Sequence, residues 1–103
     1  MTNFMQALKE LNKLRKSAKV LEKQLRAERL ESSSHDGRIK VIINGKLEIL
    51  SLEISPDLLS QFQKQNLERM VLNTINTAIA QMQGKVSKMV SSQMGIDLPG
   101  LGF

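Results

Sequence analysis

The chain has no cysteine, no tryptophan and no tyrosine, and it carries only three phenylalanines, two prolines and one histidine. Without cysteine there are no disulfides and no thiolate metal sites. A lone histidine cannot assemble a zinc site, so His35 beside Asp36 reads as part of a turn. With so few aromatics, the core must be built from Leu, Ile, Val and Met, and base stacking of the kind single-strand binders use is not expected. No apolar run approaches the length of a transmembrane span. The start of the chain lacks the apolar stretch of a signal peptide. The expectation is a soluble cytoplasmic protein with no cofactor.

What is present is positive charge, unevenly placed. The 103 residues carry 15 Lys and Arg against 10 Asp and Glu, a net of +5. Residues 1–31 account for +4 of it, and residues 32–103 for +1. An excess confined to one segment points to an acidic partner, either nucleic acid or an anionic surface.

That segment also has helical order. Taken as heptads from Phe4, position a holds Phe4, Leu11, Ala18 and Leu25, and position d holds Ala7, Leu14, Leu21 and then Glu28. This is the seam of a helix that buries one stripe against another helix. Positions b, c and f hold Lys9, Lys13, Lys16, Lys19, Lys23 and Arg26, with no acid among them. A helix over residues 3–28, about 40 Å long, is expected, capped by Asn3 with Gln6 at capping-box spacing.

The period then changes. Strands are expected across residues 29–54, the first turning at His35-Asp36-Gly37 and the second at Asn44-Gly45, a strong hairpin signal. A two-residue turn there would pair Ile43 with Lys46, Val41 with Glu48 and Ile39 with Leu50. Ile39, Val41, Ile43, Leu50, Leu52 and Ile54 would share one face, and Ile42, Leu47 and Ile49 the other. A small sheet apolar on both sides needs a cover, for which a partner subunit is the expectation. Ser55-Pro56 opens a short helical turn over 56–59. The last helix is expected over about 66–92, with a stripe of Leu67, Val71, Ile75, Ala78, Met82, Val86 and Met89, widened by Leu72 and Ile79. Asn76 on it reads as a buried polar group. Residues 1–95 form a single α+β domain, and 96–103 are expected to be a flexible or loosely docked tail.

The order helix, three strands, helix coincides with specific segments. Val41-Ile42-Ile43-Asn44-Gly45 resembles the "V-x-V-N-G" hairpin of the YbaB/EbfC family of bacterial nucleoid-associated proteins. Leu52-Glu53-Ile54-Ser55-Pro56-Asp57-Leu58-Leu59 resembles its "v-x-I-D-P-x-L-L" segment. Leu67-Glu68 with Asn76 and Ala78, and the Leu98-Pro99-Gly100 tail, are similar to its last helix and end. The resemblance spans essentially the whole chain. It implies a tweezer-like homodimer with helical arms, no enzymatic chemistry, and double-stranded DNA binding that compacts the nucleoid and influences gene expression. Two features depart from the family pattern. Ser32-Ser33-Ser34-His35-Asp36-Gly37 stands where a Gly-rich turn is common, and the arm is richer in lysine.

The lysine face is therefore the candidate DNA contact, through phosphate neutralisation with little sequence preference. No clustered Arg, Asn and Gln set for reading base edges stands out. The bland reading is a solvated face that only keeps the protein soluble. A rival from another class is a helical-clamp adaptor that holds a protein of the replication or repair machinery without touching DNA. A membrane-surface helix fits less well, since the arm lacks tryptophan and a wide bulky apolar face.

Overall fold

The computed structural model describes residues 3–61 and 64–94. The expected tail, 96–103, lies outside the described residues. Six elements follow in order: α1 (Phe4–Ala27), β1 (Leu30–Ser33), β2 (Ile39–Ile43), β3 (Ile49–Ile54), α2 (Leu58–Gln61) and α3 (Lys64–Met94). The strands form one antiparallel sheet in the order β1-β2-β3. This is the expected α+β arrangement.

Local chemistry fixes the ends of α1. The Asn3 carboxamide oxygen accepts the Gln6 N–H at 2.7 Å, satisfying one of the free amides of the first turn. At the other end Glu28 leaves the helix in extended conformation. The Arg29 guanidinium donates to the carbonyls of Arg26 and Glu28 at 2.7 and 2.8 Å, capping groups that the helix leaves unpaired.

The first turn is built around Asp36. The Gly37 N–H donates to the Ser34 carbonyl at 2.9 Å, and Gly37 takes a positive φ of 76°. The Asp36 carboxylate accepts from the Ser34 hydroxyl, the Arg38 N–H and the Arg38 guanidinium. This is the local side-chain bonding that makes aspartate a turn residue.

The second turn differs from expectation. Asn44 and Glu48 bracket a three-residue loop, with the Leu47 N–H donating to the Asn44 carbonyl at 3.0 Å and the Asn44 N–H to the Glu48 carbonyl at 3.1 Å. Leu47, not Gly45, takes the left-handed conformation, at φ 62°. A turn followed by one left-handed residue is the usual geometry of such a loop. The buried Asn44 side chain completes it by accepting the N–H groups of Lys46 and Glu48, each at 3.0 Å.

The longer loop shifts the register. Ile39 pairs with Ile54, Val41 with Leu52 and Ile42 with Ser51, but Ile43 pairs with Ile49, leaving Leu50 in a bulge. The bulge moves Leu50 to the outer face, where it lines a groove with Ile42, Glu31 and Ser51. Ile49 goes the other way, onto the face of Ile43. The expected pairings of Ile39 with Leu50 and Val41 with Glu48 are thereby corrected, as are the expected faces of Leu50 and Ile49.

α3 lies across β1 and β2. Val41, Ile43, Ala78 and Met82 are fully buried, with Leu30, Ile75, Ile79 and Val86 packed around them. β3 is left at the open side: Ile49, Leu50 and Leu52 are 39, 47 and 45% exposed. Asn76 is exposed rather than buried. The buried polar group of this helix is Thr74, whose hydroxyl donates to the Met70 carbonyl at 2.8 Å.

Candidate nucleic-acid interface

α1 stands away from the sheet and has no buried residue. Lys9, Lys13, Lys16, Lys19, Lys23 and Arg26 are all exposed along it. From Lys9 to Arg26 the helix rises about 26 Å. The residues the heptad pattern singles out thus lie on one continuous rod.

They are not equivalent. Glu10 approaches Lys13 at 4.0 Å, and Glu22 pairs with Arg26 at 3.1 Å. Acids placed outside positions b, c and f therefore still reach two of the six cations, as i,i+3 and i,i+4 neighbours on a helix do. Lys9, Lys16, Lys19 and Lys23 have no ion-pair partner among the described residues. Exposed pairs contribute little stability, so the cost of releasing Lys13 or Arg26 to an anion is small. Arg15, at position e, is a further exposed cation without an ion-pair partner among the described residues. Its i,i+4 spacing to Lys19 is the signal that places it beside the lysine face.

The root of the arm is held by three attachments. In the first, the Gly45 N–H donates to the Leu25 carbonyl at 2.8 Å. Beside it, Lys46 bonds Glu22 at 3.1 Å, and this hydrogen bond, with the charges of Lys46 and Arg26, holds the Glu22 carboxyl below its usual range. In the second, Lys85 of α3 pairs with Glu28 at 2.8 Å and donates to the Arg29 carbonyl at 3.3 Å. In the third, the Gln93 amide donates to Gln24 at 2.7 Å. These contacts join α1 to both the hairpin and α3, so the arm's direction is set by the domain.

The cations outside the arm separate clearly. Arg38 is bound by Asp36 at 2.8 Å and Asp57 at 2.9 Å, which tie the first turn to the start of α2. The Asp36 carboxyl is lowered to about 2, first by the Arg38 N–H and then by Ser34 and the Arg38 guanidinium. The Asp57 carboxyl is also lowered, chiefly by the Ser55 hydroxyl and then by Arg38. Lys85 is engaged at the root of the arm, while Lys40 and Lys88 are exposed. A cleft of about 300 Å³ between the first turn and α3 is lined by Ser34, His35, Asp36, Met70, Asn73 and Thr74. In it the Ser34 hydroxyl donates to the Asp36 carboxylate and the Thr74 hydroxyl to the Met70 carbonyl, bonds that shape the first turn and α3. Among the described residues, no group of three His, Asp or Glu stands at metal-binding distance. Nor is any helix there long and apolar enough to cross a membrane.

Comparison with known proteins adds three findings. The profile of the YbaB/EbfC DNA-binding family matches residues 1–96. A nucleoid-associated protein of Pelotomaculum thermopropionicum is 30% identical over 100 residues, covering 96% of this chain and 95% of its own, and one of Thermoanaerobacter pseudethanolicus is 27% identical, covering 96% and 90%. A crystal structure of an uncharacterized protein from Helicobacter pylori superposes with a TM-score of 0.76 at 20% identity, over 91% of this chain and 99% of that one.

Proposed function

This chain belongs to the YbaB/EbfC DNA-binding family, and from that premise we propose that it binds double-stranded DNA as a homodimer, with weak or no sequence preference, and so organises the nucleoid. The observation that carries this reading is the exposed arm, on which Lys9, Lys16, Lys19 and Lys23 face solvent without ion-pair partners among the described residues. Lysine on a flexible stem meets phosphate as a point charge, without the planar fork that selects bases. Association then gains from counterion release and depends steeply on salt. The names of the relatives, both nucleoid-associated proteins, support the cellular setting.

The dimer is supported by the open side of the sheet. β3 is an edge strand with apolar residues exposed on both faces, a surface that invites pairing. Leu59 and Leu72, 68 and 58% exposed, add to the uncovered apolar surface.

The test is a titration of unrelated duplexes of equal length at several salt concentrations. Affinities should agree within about tenfold between sequences, far below the ~10³-fold or more that separates specific from non-specific sites. Log affinity should fall linearly with log salt, by about 0.9 for each phosphate neutralised. Replacing Lys9, Lys16 and Lys23 by Glu should abolish most of this binding while the folded assembly persists. Binding indifferent to salt, or unimpaired in the charge-reversed variant, would remove the arm from the mechanism.

A further inference from the structure

Glu22 stands among cations at the root of the arm. Its Oε1 accepts from the Arg26 guanidinium and from the Lys46 ammonium of the second turn, each at 3.1 Å. Lys19, Glu22, Lys23 and Arg26 share one side of α1, at the i, i+3, i+4 and i+7 spacing of a helix face, and line a groove of about 240 Å³. Arg15, one turn before Lys19, extends that side toward the free end of the arm. From Arg15 to Arg26 the helix rises about 16 Å. The track of cations then crosses to Lys46 on the hairpin, with the Glu22 carboxylate in its midst.

This cluster is open to an incoming anion. The side chains of Glu22, Arg26 and Lys46 are 50, 61 and 35% exposed, so all three can be reached from solvent. Exposed pairs contribute little stability, and parting Lys46 from Glu22 costs little. The arm keeps its direction when they part, because the Gly45–Leu25 backbone bond, the Lys85–Glu28 pair and the Gln93–Gln24 bond remain. A carboxylate also presents what a backbone phosphate presents: one negative charge, and oxygens that accept N–H donors. Cations held by Glu22 are withheld from DNA, and the carboxylate itself repels phosphate.

We propose that Glu22 stands in the place of a DNA phosphate, and that a backbone phosphate displaces it and takes Lys46 and Arg26 when the arm binds. The inference rests on the reading of the arm as a duplex-binding surface, and it adds two things to that reading. Lys46 of the hairpin belongs to the interface, which therefore does not end with α1. Glu22 is a built-in competitor that keeps affinity down. The exchange of one anion for another leaves sequence preference unchanged, since phosphate contacts carry no base identity.

The test compares variants of the full chain on one duplex over a series of salt concentrations. Glu22→Gln keeps the size of the side chain and an acceptor oxygen but removes the charge. Glu10→Gln makes the same change on the same helix, beside Lys13, and controls for net charge. Glu22→Gln should bind about tenfold tighter than Glu10→Gln, the scale of one bond to a charged group. Lys46→Gln should bind more weakly, with the slope of log affinity against log salt reduced by about 0.9, the share of one phosphate. Lys46→Arg, which keeps the charge, should keep the slope of the unaltered protein. Equal affinities of the Glu22 and Glu10 variants would overturn the proposal, as would a full slope in Lys46→Gln. A slope lost equally in Lys46→Arg would mean that Lys46 only shapes the turn, and would overturn it too. The underlying reading fails separately, if the unaltered protein binds the duplex without regard to salt.

Discussion

Gly45 sits where the second turn meets the root of the arm. A Cβ there would lie 2.6 Å from the Leu25 carbonyl oxygen and 2.9 Å from the Leu25 Cα, both backbone atoms that cannot swing aside. Gly45→Ala should therefore destabilise the fold by about 1–3 kcal/mol, as forced overpacking does. Thermal unfolding would measure the loss, and a neutral result would mean that the arm can shift on the hairpin. Charge at single residues gives a second prediction. Asp36 and Asp57 both have lowered carboxyl pKa values, so each contributes stability above its unfolded pKa near 3.8 and loses it as pH falls toward the folded value, about 2 for Asp36. The tie between the first turn and α2 should persist at pH 5 and weaken between about pH 4 and 2. Asp36→Asn should flatten this acid limb of the stability profile, and NMR titration of the Asp36 carboxyl would follow it directly.

Among the elements, the helices were the most legible in the sequence and the hairpin the least. The heptad from Phe4 and the stripe from Leu67 each repeat over several turns, so one anomalous residue cannot hide the period. The hairpin's register rests on a single turn. Asn44-Gly45 marked its place, but Gly45 serves a close approach from Leu25, a long-range contact that no local pattern displays. The positive φ falls to Leu47 instead, and Leu50 enters a bulge. Asn76 misled for a related reason: it lies between Ile75 and Ala78 of the α3 stripe in sequence, yet it falls on the side of the helix turned away from β1 and β2. The cationic face of α1 was visible as spacing, whereas the pairing of Lys13 and Arg26 with Glu10 and Glu22 needed side-chain geometry. α3 also offers a test of its own. Gly84 lies inside it, and a Cβ there meets nothing within 4 Å. Gly84→Ala should stabilise the protein by about 1 kcal/mol. That corresponds to a melting temperature higher by about 4–8 °C for a domain of this size. A destabilising outcome would mean that another chain packs against this point of α3.

At the scale of the molecule, elongation and incomplete packing belong together. The protein measures 71 × 23 × 19 Å with a radius of gyration of 19.4 Å, against about 13 Å for a compact domain of this length. The excess comes from two long helices, α1 of 24 residues and α3 of 31, and among the described residues the fully buried apolar core is six side chains on β2, α2 and α3. A core that small is marginal alone, and association is the usual remedy. Leu52 is the residue through which this can be tested, because it lies on the edge strand, is 45% exposed, and is distant from every lysine of the arm in sequence. Leu52→Lys places a charge on the open side of the sheet without altering α1. If two copies meet there and each contributes an arm to the same duplex, this variant should sediment as a monomer. The slope of its log affinity against log salt should fall to about half, since half the phosphates are neutralised. A monomer that kept the full slope would show that one arm engages all the phosphates. A variant that remained dimeric would move the interface away from β3, to the exposed surface of α3 around Leu72.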